Sequence, residues 1–353
     1  MEGKEPQMPR SQAIRTIRAS VLCLVLSAMM IPSLSCRNSQ SKSQRQVVVY
    51  YSVDQEIAEP ILAEFEKRTG IKVLGKPDIE ASKTVGLVQT IRAQAGQPVA
   101  DVFWSSENFH TIRLAREGLL QSYASDATAN WPARFTDSQG RWYGFALRGR
   151  AIVYSTIRVP AGEAPKKLED LLDPRWKGRI VMGAPEFGTT GGDIASWFVH
   201  YGPQRAREIL AGLKANNVRL VDGNSKVVRM IANGEADVGF TDTDDIYVGQ
   251  RNGWSVAMNS LDQNGQGALA IPNTAAIIQG APHLAEAREL MAFLLSETVE
   301  TMLARSDSHN TPVRASLAEQ FKQYAIPRPL EVDFEKVADQ LPVAIQASKE
   351  TLR

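Results

Sequence analysis

The sequence predicts an α/β fold. Short β-branched and aromatic runs alternate with amphipathic helical segments along nearly the whole chain, the pattern of a parallel sheet with helical connections. That alternation begins a second time near residue 179. The amount of material agrees: 353 residues, 43% hydrophobic and 22% charged, suffice for two domains of about 150 residues each and exclude bulk disorder. Lys and Arg number 40 against 39 Asp and Glu, a net charge of +1, which argues against a nucleic-acid-binding surface. The 2 cysteines make neither a disulfide framework nor a Cys-based zinc site.

The elements follow in order. Lys4, Arg10, Arg15 and Arg18 precede the apolar run 21–31. That run is too short to span a bilayer and suits the apolar region of a secretory signal, read here as residues 1–35. Cys36 follows directly and resembles the lipidated Cys of a bacterial lipobox. Ordinary cleavage leaving a free Cys is the alternative. Residues 36–46 are polar and read as a flexible tether. A lipid on such a tether anchors a protein without spanning the membrane.

The run 47–51 is a buried strand. Ile57, Ile61, Leu62 and Phe65 then share one face of a helix that Gly70 stops. A strand at 71–74, a helix over 82–95, a strand at 100–104 and a helix over 107–117 complete the first alternation. Residues 142–146 and 151–154 read as two strands. The second unit has strands at 179–182, 218–221 and 236–240 and helices after Gly192 and over 203–215 and 225–232. Residues 269–271 and 275–278 are strand-like, and helices near 283–296, 297–305 and 315–323 follow. No Gly-x-Ser-x-Gly elbow, His-Glu-x-x-His motif or Cys–His pair points to an enzyme. His110, His200, His283 and His309 lack metal-ligand spacing.

Several segments in this order resemble one family over residues 47–325. They are Val49-Tyr50-Tyr51-Ser52, Phe65 to Val73, Ala100 to Ser105, Arg148 to Tyr154, Asp173 to Arg179 and Ala232 to Gly239. The family is the class II periplasmic binding proteins, the substrate-binding components of ABC importers, and the nearest branch is the ferric-ion-binding one. The resemblance implies a two-lobed periplasmic binding protein type II fold with a ligand cleft between the lobes. Residues 47–147 would form lobe 1, 148–267 lobe 2, 268–315 a return to lobe 1, and 316–353 C-terminal helices packing across the lobes.

In open α/β sheets ligands bind beyond the carboxyl ends of strands, against helix N-termini. Five loops are therefore of interest: 52–54, 105–107, 188–192, 222–225 and 241–245. Asp54 stands where iron binders commonly carry a His, and is a ligand or the cap of the next helix. Ser105-Ser106-Glu107 falls where iron binders place a Glu. The alternative there is Ser106 as cap, with Glu107 favoured by the helix dipole. Asp244 and Asp245 occupy the places of the relatives' adjacent metal-binding tyrosines. With Asp242 they repel one another unless a cation or a helix N-terminus compensates. An EF-hand is excluded, because the sixth and twelfth positions from Asp242 are Tyr247 and Gly253.

Gly188-Thr189-Thr190-Gly191-Gly192 offers backbone N–H groups and hydroxyls at a helix start, an anion site or a plain turn. Relatives bind a small anion beside the metal at this turn. Arg148 and Arg150 alternate on a strand and point one way, toward an anion, a carboxylate cluster or a structural ion pair. Asn224 begins a helix and faces the same cleft in relatives.

Asp54, Glu107, Asp242, Asp244 and Asp245 are thus the expected metal ligands. Ser105, Ser106, Arg148, Arg150, Thr189, Thr190, Gly191 and Asn224 are the expected anion or ligand contacts. The resemblance implies a monomeric, non-enzymatic carrier in the periplasm or cell envelope, without a catalytic cofactor. It would bind Fe3+ or another hard cation with a synergistic anion and deliver it to the permease and ATPase of an importer. The alternative is a small organic anion or zwitterion in the same fold, held chiefly by Arg148, Arg150 and the Thr-Thr-Gly-Gly loop.

Overall fold

β-branched side chains suit a pleated surface covered by helices, and the first such run makes the first strand. The computed structural model describes residues 44–78 and 82–353. The signal segment 1–35, Cys36 and the tether up to residue 43 lie outside the described residues. In β1 (Gln46–Tyr51) Val47 and Val49 are fully buried. α1 (Gln55–Thr69) buries Ala58, Ile61, Leu62 and Phe65, a stripe at helical spacing. Each such large side chain taken from water contributes about 1.5–3 kcal/mol. Then come β2 (Lys72–Pro77), α2 (Val85–Ala93), β3 (Val102–Ser105) and α3 (Phe109–Arg116). β1 pairs in parallel with β2 and β3.

β4 (Leu120–Gln121) and β5 (Tyr143–Ser155) lead to a second unit. It comprises β6 (Ile180–Gly183), α4 (Thr190–His200), α5 (Pro203–Ala215), β7 (Arg219–Val221), α6 (Asn224–Ala232), β8 (Val238–Asp242), α7 (Thr243–Arg251) and β9 (Val256–Ser260). β10 (Ala270–Ile278), α8 (Leu284–Leu294), α9 (Glu297–Arg305), the short α10 (Ala315–Ala318) and α11 (Phe334–Leu352) close the chain. Among the described residues no helix is long and apolar enough to cross a membrane.

The strands form two sheets, the cores of two lobes. The first runs β2-β1-β3-β10-β5 with β4 against β10, and the second runs β5-β8-β6-β7 with β9 against β5. β5 belongs to both. Its first half pairs with β10 and its second half with β8 and β9. The sequence reads this stretch as two strands, and the structure makes them one of 13 residues. Residues 269–271 and 275–278 likewise fuse into β10. The interruption in the pattern is a bulge: Ala146 takes φ +50° where the register shifts between Pro272 and Asn273, and Pro272 has no N–H to give to a ladder. β9 lies outside the predicted strands, because its residues are mostly half-buried and carry no clean alternation.

α11 buries Phe334, Val337, Ala338, Leu341 and Ala344 at helical spacing and packs on α4, α5 and α3. Asp333 caps it, accepting from the N–H groups of Glu335 and Lys336. α4 approaches its neighbours through glycine. A Cβ on Gly192 would stand 2.1 Å from the Phe109 ring, and one on Gly191 would stand 2.3 Å from the Pro185 carbonyl and 3.3 Å from Leu341.

Candidate functional site

The carboxyl ends of β1, β6 and β8 and the central crossover of β5 point at one polar cavity of about 40 Å3. That is room for about three water molecules. Asp54, Ser106, Arg148, Thr189 and Thr190 line it, as do Asn224, Asp242, Asp244 and Asp245. Nine of the residues expected from sequence therefore meet at one point, from loops that lie far apart along the chain.

Asp242 ends β8 and occupies the N-cap position of α7, yet its carboxylate makes no capping bond. It accepts instead from four donors. Arg150 reaches Oδ1 at 2.7 Å, while Thr189 Oγ1 (2.6 Å), Asn224 Nδ2 (2.9 Å) and Arg148 Nε (3.2 Å) reach Oδ2. Burial pushes its pKa up, but Arg150 and Arg148 outweigh that and hold it at about 2. Such a saturated carboxylate has little lone-pair capacity left for a ligand. Asp242 positions the arginines and Thr189, and most of its hydrogen-bonding capacity is spent on them.

Asp244 and Asp245, in the first turn of α7, differ. Asp244 has Arg148 Nε at 3.4 Å and accepts the Asp245 N–H at 3.1 Å, and Asp245 accepts a long bond of 3.4 Å from Thr241 Oγ1. Burial pushes Asp244 up to about 6, with Arg148 only partly offsetting it. Burial, together with Asp244 and Asp242 alongside, drives Asp245 well above the usual carboxylate range. Oxygens of Asp242, Asp244 and Asp245 lie within 4.8 Å of one another. Two half-buried carboxylates are thus held together without a full complement of positive charge, the condition in which a cation binds favourably.

Asp54 stands at the N-cap of α1, but its side chain makes no capping bond. It pairs with Lys83 Nζ at 2.5 Å, and Lys83 holds its pKa down.

Four expected residues do not line the cavity. Glu107 is fully buried and serves its own helix, accepting from the N–H groups of Phe109 (2.7 Å) and His110 (3.2 Å). Ser105 closes the same turn, its Oγ accepting from the Glu107 N–H at 3.2 Å. The acidic helix start that reads as a metal ligand is therefore spent on orphan N–H groups. Glu107→Ala is expected to cost about 1–2 kcal/mol of stability and to leave ligand affinity unchanged, checked by paired denaturation and binding titrations. Gly191 faces α11 and is required for packing. Arg150 is fully buried behind the wall, 2.7 Å from Asp242 and 3.6 Å from Asp193, with its guanidinium 4.6 Å from the Phe240 ring centre. It is the structural ion pair left open as the alternative.

Lys83, Asn273, Ser308 and Asn310 line the cavity and carry no sequence signal. They come from a loop, a strand interior and an irregular segment, with no motif to mark them. Asn273 is buried, and its Nδ2 donates to the Ala146 carbonyl (2.7 Å) and Asn310 Oδ1 (3.1 Å). The bulge at Ala146 thereby fixes an amide in the cavity wall.

Two α/β lobes that share strand β5, with a polar cavity where their strand ends meet, define a two-lobed ligand-binding architecture. Residues 97–334 match the bacterial extracellular solute-binding protein family, and the chain belongs to that family. It is similar to iron uptake protein A1 of Synechocystis sp., 25% identical over 286 residues, covering 78% of this chain and 77% of that protein. Its fold is like that of iron-bound HitA from Pseudomonas aeruginosa, with a TM-score of 0.79 and 24% identity, covering 87% of this chain and 99% of that one. It is also like that of the periplasmic binding protein AfuA from Actinobacillus pleuropneumoniae with fructose-6-phosphate bound. There the TM-score is 0.75 and the identity 20%, covering 88% of this chain and 99% of that one.

Proposed function

We propose that this protein is the extracytoplasmic binding component of an ABC importer and that it carries a hard metal cation, ferric ion foremost, to a permease and its ATPase. Asp244 and Asp245 are the principal ligands, with Asp54 facing them. Arg148 and Thr190 receive a small accompanying anion, while Asp242 and Asn224 hold that wall in place. The protein works as a monomer in the periplasm or cell envelope, tethered through a lipid on Cys36, and performs no catalysis. Residues 47–147 and 268–315 form one lobe, 148–267 the other, and 316–353 pack across both.

One observation carries the reading: Asp244 and Asp245, half-buried and forced up in pKa, converge beside a cavity sized for an ion and a few atoms more. Hard oxygen donors favour hard cations, and an iron uptake protein is among the relatives. A second reading, a small zwitterion or organic anion, draws on the ammonium of Lys83 and the guanidinium of Arg148 in the same lining and on the fructose-6-phosphate of one structural neighbour.

Thermal unfolding with added ligands separates the two, since a ligand bound only by the folded state raises Tm. Ferric ion supplied as its nitrilotriacetate complex is expected to raise Tm, and fructose-6-phosphate is not. The reverse pattern selects the second reading. Metal binding also requires deprotonated carboxylates. Because burial pushes Asp244 up to about 6 and holds Asp245 well above the usual carboxylate range, ferric affinity is expected to fall as pH drops through about 6, with proton release on binding measured by calorimetry in two buffers.

A further inference from the structure

The residue that neutralises Asp54 belongs to neither of the two elements beside it. Lys83 lies just before α2, in the first lobe. Its Nζ is 2.5 Å from Asp54 Oδ1, inside the cavity lining, and its side chain is 22% exposed. Its backbone carbonyl accepts the N–H of Gly188, 3.1 Å away, from the turn before α4 in the second lobe. The next residue, Thr84, is fully buried at φ +69°, a backbone region that a β-branched residue occupies only when its surroundings hold it there. Its Oγ1 donates to Ser52 Oγ at 3.2 Å, two residues from Asp54. Lys83 is thus held over the cavity from both sides.

We infer that Lys83 is a built-in competitor for the cation: its ammonium occupies Asp54 in the empty protein and must leave when a metal takes that carboxylate. The inference rests on the cation reading above. An ammonium and a metal ion compete for the same carboxylate oxygen of the half-exposed Asp54, and like charges a few ångströms apart repel. Departure of the side chain pulls on the residue whose carbonyl holds Gly188, so metal entry is coupled to the contact between the lobes. The exchange also sets a selectivity threshold. A trivalent ion gains more from Asp54 than the ammonium does, and a monovalent ion does not.

The test measures Fe(III), supplied as its nitrilotriacetate complex, and orthophosphate against the parent and the variants Lys83→Met, Lys83→Gln and Lys83→Arg, each first shown by circular dichroism to be folded. Met and Gln are expected to bind Fe(III) about tenfold tighter or more, with orthophosphate unimproved, and Arg is expected to resemble the parent. Fe(III) binding that weakens or stays unchanged in both Met and Gln overturns the inference while leaving the cation reading in place. Weakened orthophosphate binding together with weakened Fe(III) binding assigns Lys83 to an anion instead, and also overturns it. Absence of Fe(III) binding in the parent and every variant removes the cation reading, and this inference with it.

Discussion

Replacing Asp244 and Asp245 together with Asn is expected to lower ferric affinity by more than about 100-fold, since loss even of groups that merely support metal ligands costs about 10–100-fold. The same change is expected to raise the stability of the empty protein. Both carboxyl groups have folded-state pKa values above their unfolded ones, so their ionisation opposes folding as pH rises through that interval. Asn keeps the shape and removes the charge. Affinity and empty-state stability should therefore move in opposite directions, which a misfolded variant cannot imitate. Equilibrium dialysis against buffered ferric ion and thermal unfolding at pH 7.5, a working condition of about neutral pH, read the two quantities separately. Each single Asn variant should lie between parent and double variant in both.

The largest stability effect is expected at Arg150. Arg150→Met takes from Asp242 the guanidinium that donates to its Oδ1, and from Asp193 the cation paired with it. Breaking a buried pair from one side costs about 3–5 kcal/mol, against about 1–2 kcal/mol for the capping loss at Glu107. The pH dependence gives the cause. Burial pushes Asp193 up to about 7 even with Arg150 opposing it, and the variant removes that opposition. The deficit should be largest near pH 8 and shrink as pH falls and Asp193 takes up a proton. Urea unfolding at pH 8 and pH 5.5, on either side of about 7, checks this. A deficit that does not depend on pH would point to lost packing against Phe240 instead.

Much of the site was legible because ligand cavities form where strands end and helices begin, and alternating periodicity locates those ends. Asp54, Thr189, Asn224 and Asp242 were all reached that way. What the pattern could not supply was depth and direction. Arg148 and Arg150 share a face, and both do reach Asp242. Two residues along the strand, about 6.6 Å at 3.3 Å each, separate a cavity-lining guanidinium from one sealed behind the wall. Glu107 and Asp244 are both acidic residues near a helix start. Glu107 turns back onto its own N–H groups, whereas Asp244 faces the cavity, and local sequence does not distinguish the two. Lys83 and Asn273 needed the tertiary fold. A lysine in a polar stretch reads as a solvated charge, and an asparagine beside a proline reads as a turn. The break that such a turn implies is the bulge that aims Asn273 inward.

The most direct test is native mass spectrometry with elemental analysis on one purified sample of residues 37–353, before and after exposure to ferric ion. The expected result is a mass increase matching one iron, with or without a small anion, that elemental analysis confirms as about one equivalent and that the Asp244→Asn, Asp245→Asn double variant loses. A protein that stays metal-free after exposure, or that retains a small organic mass the double variant also keeps, would contradict it.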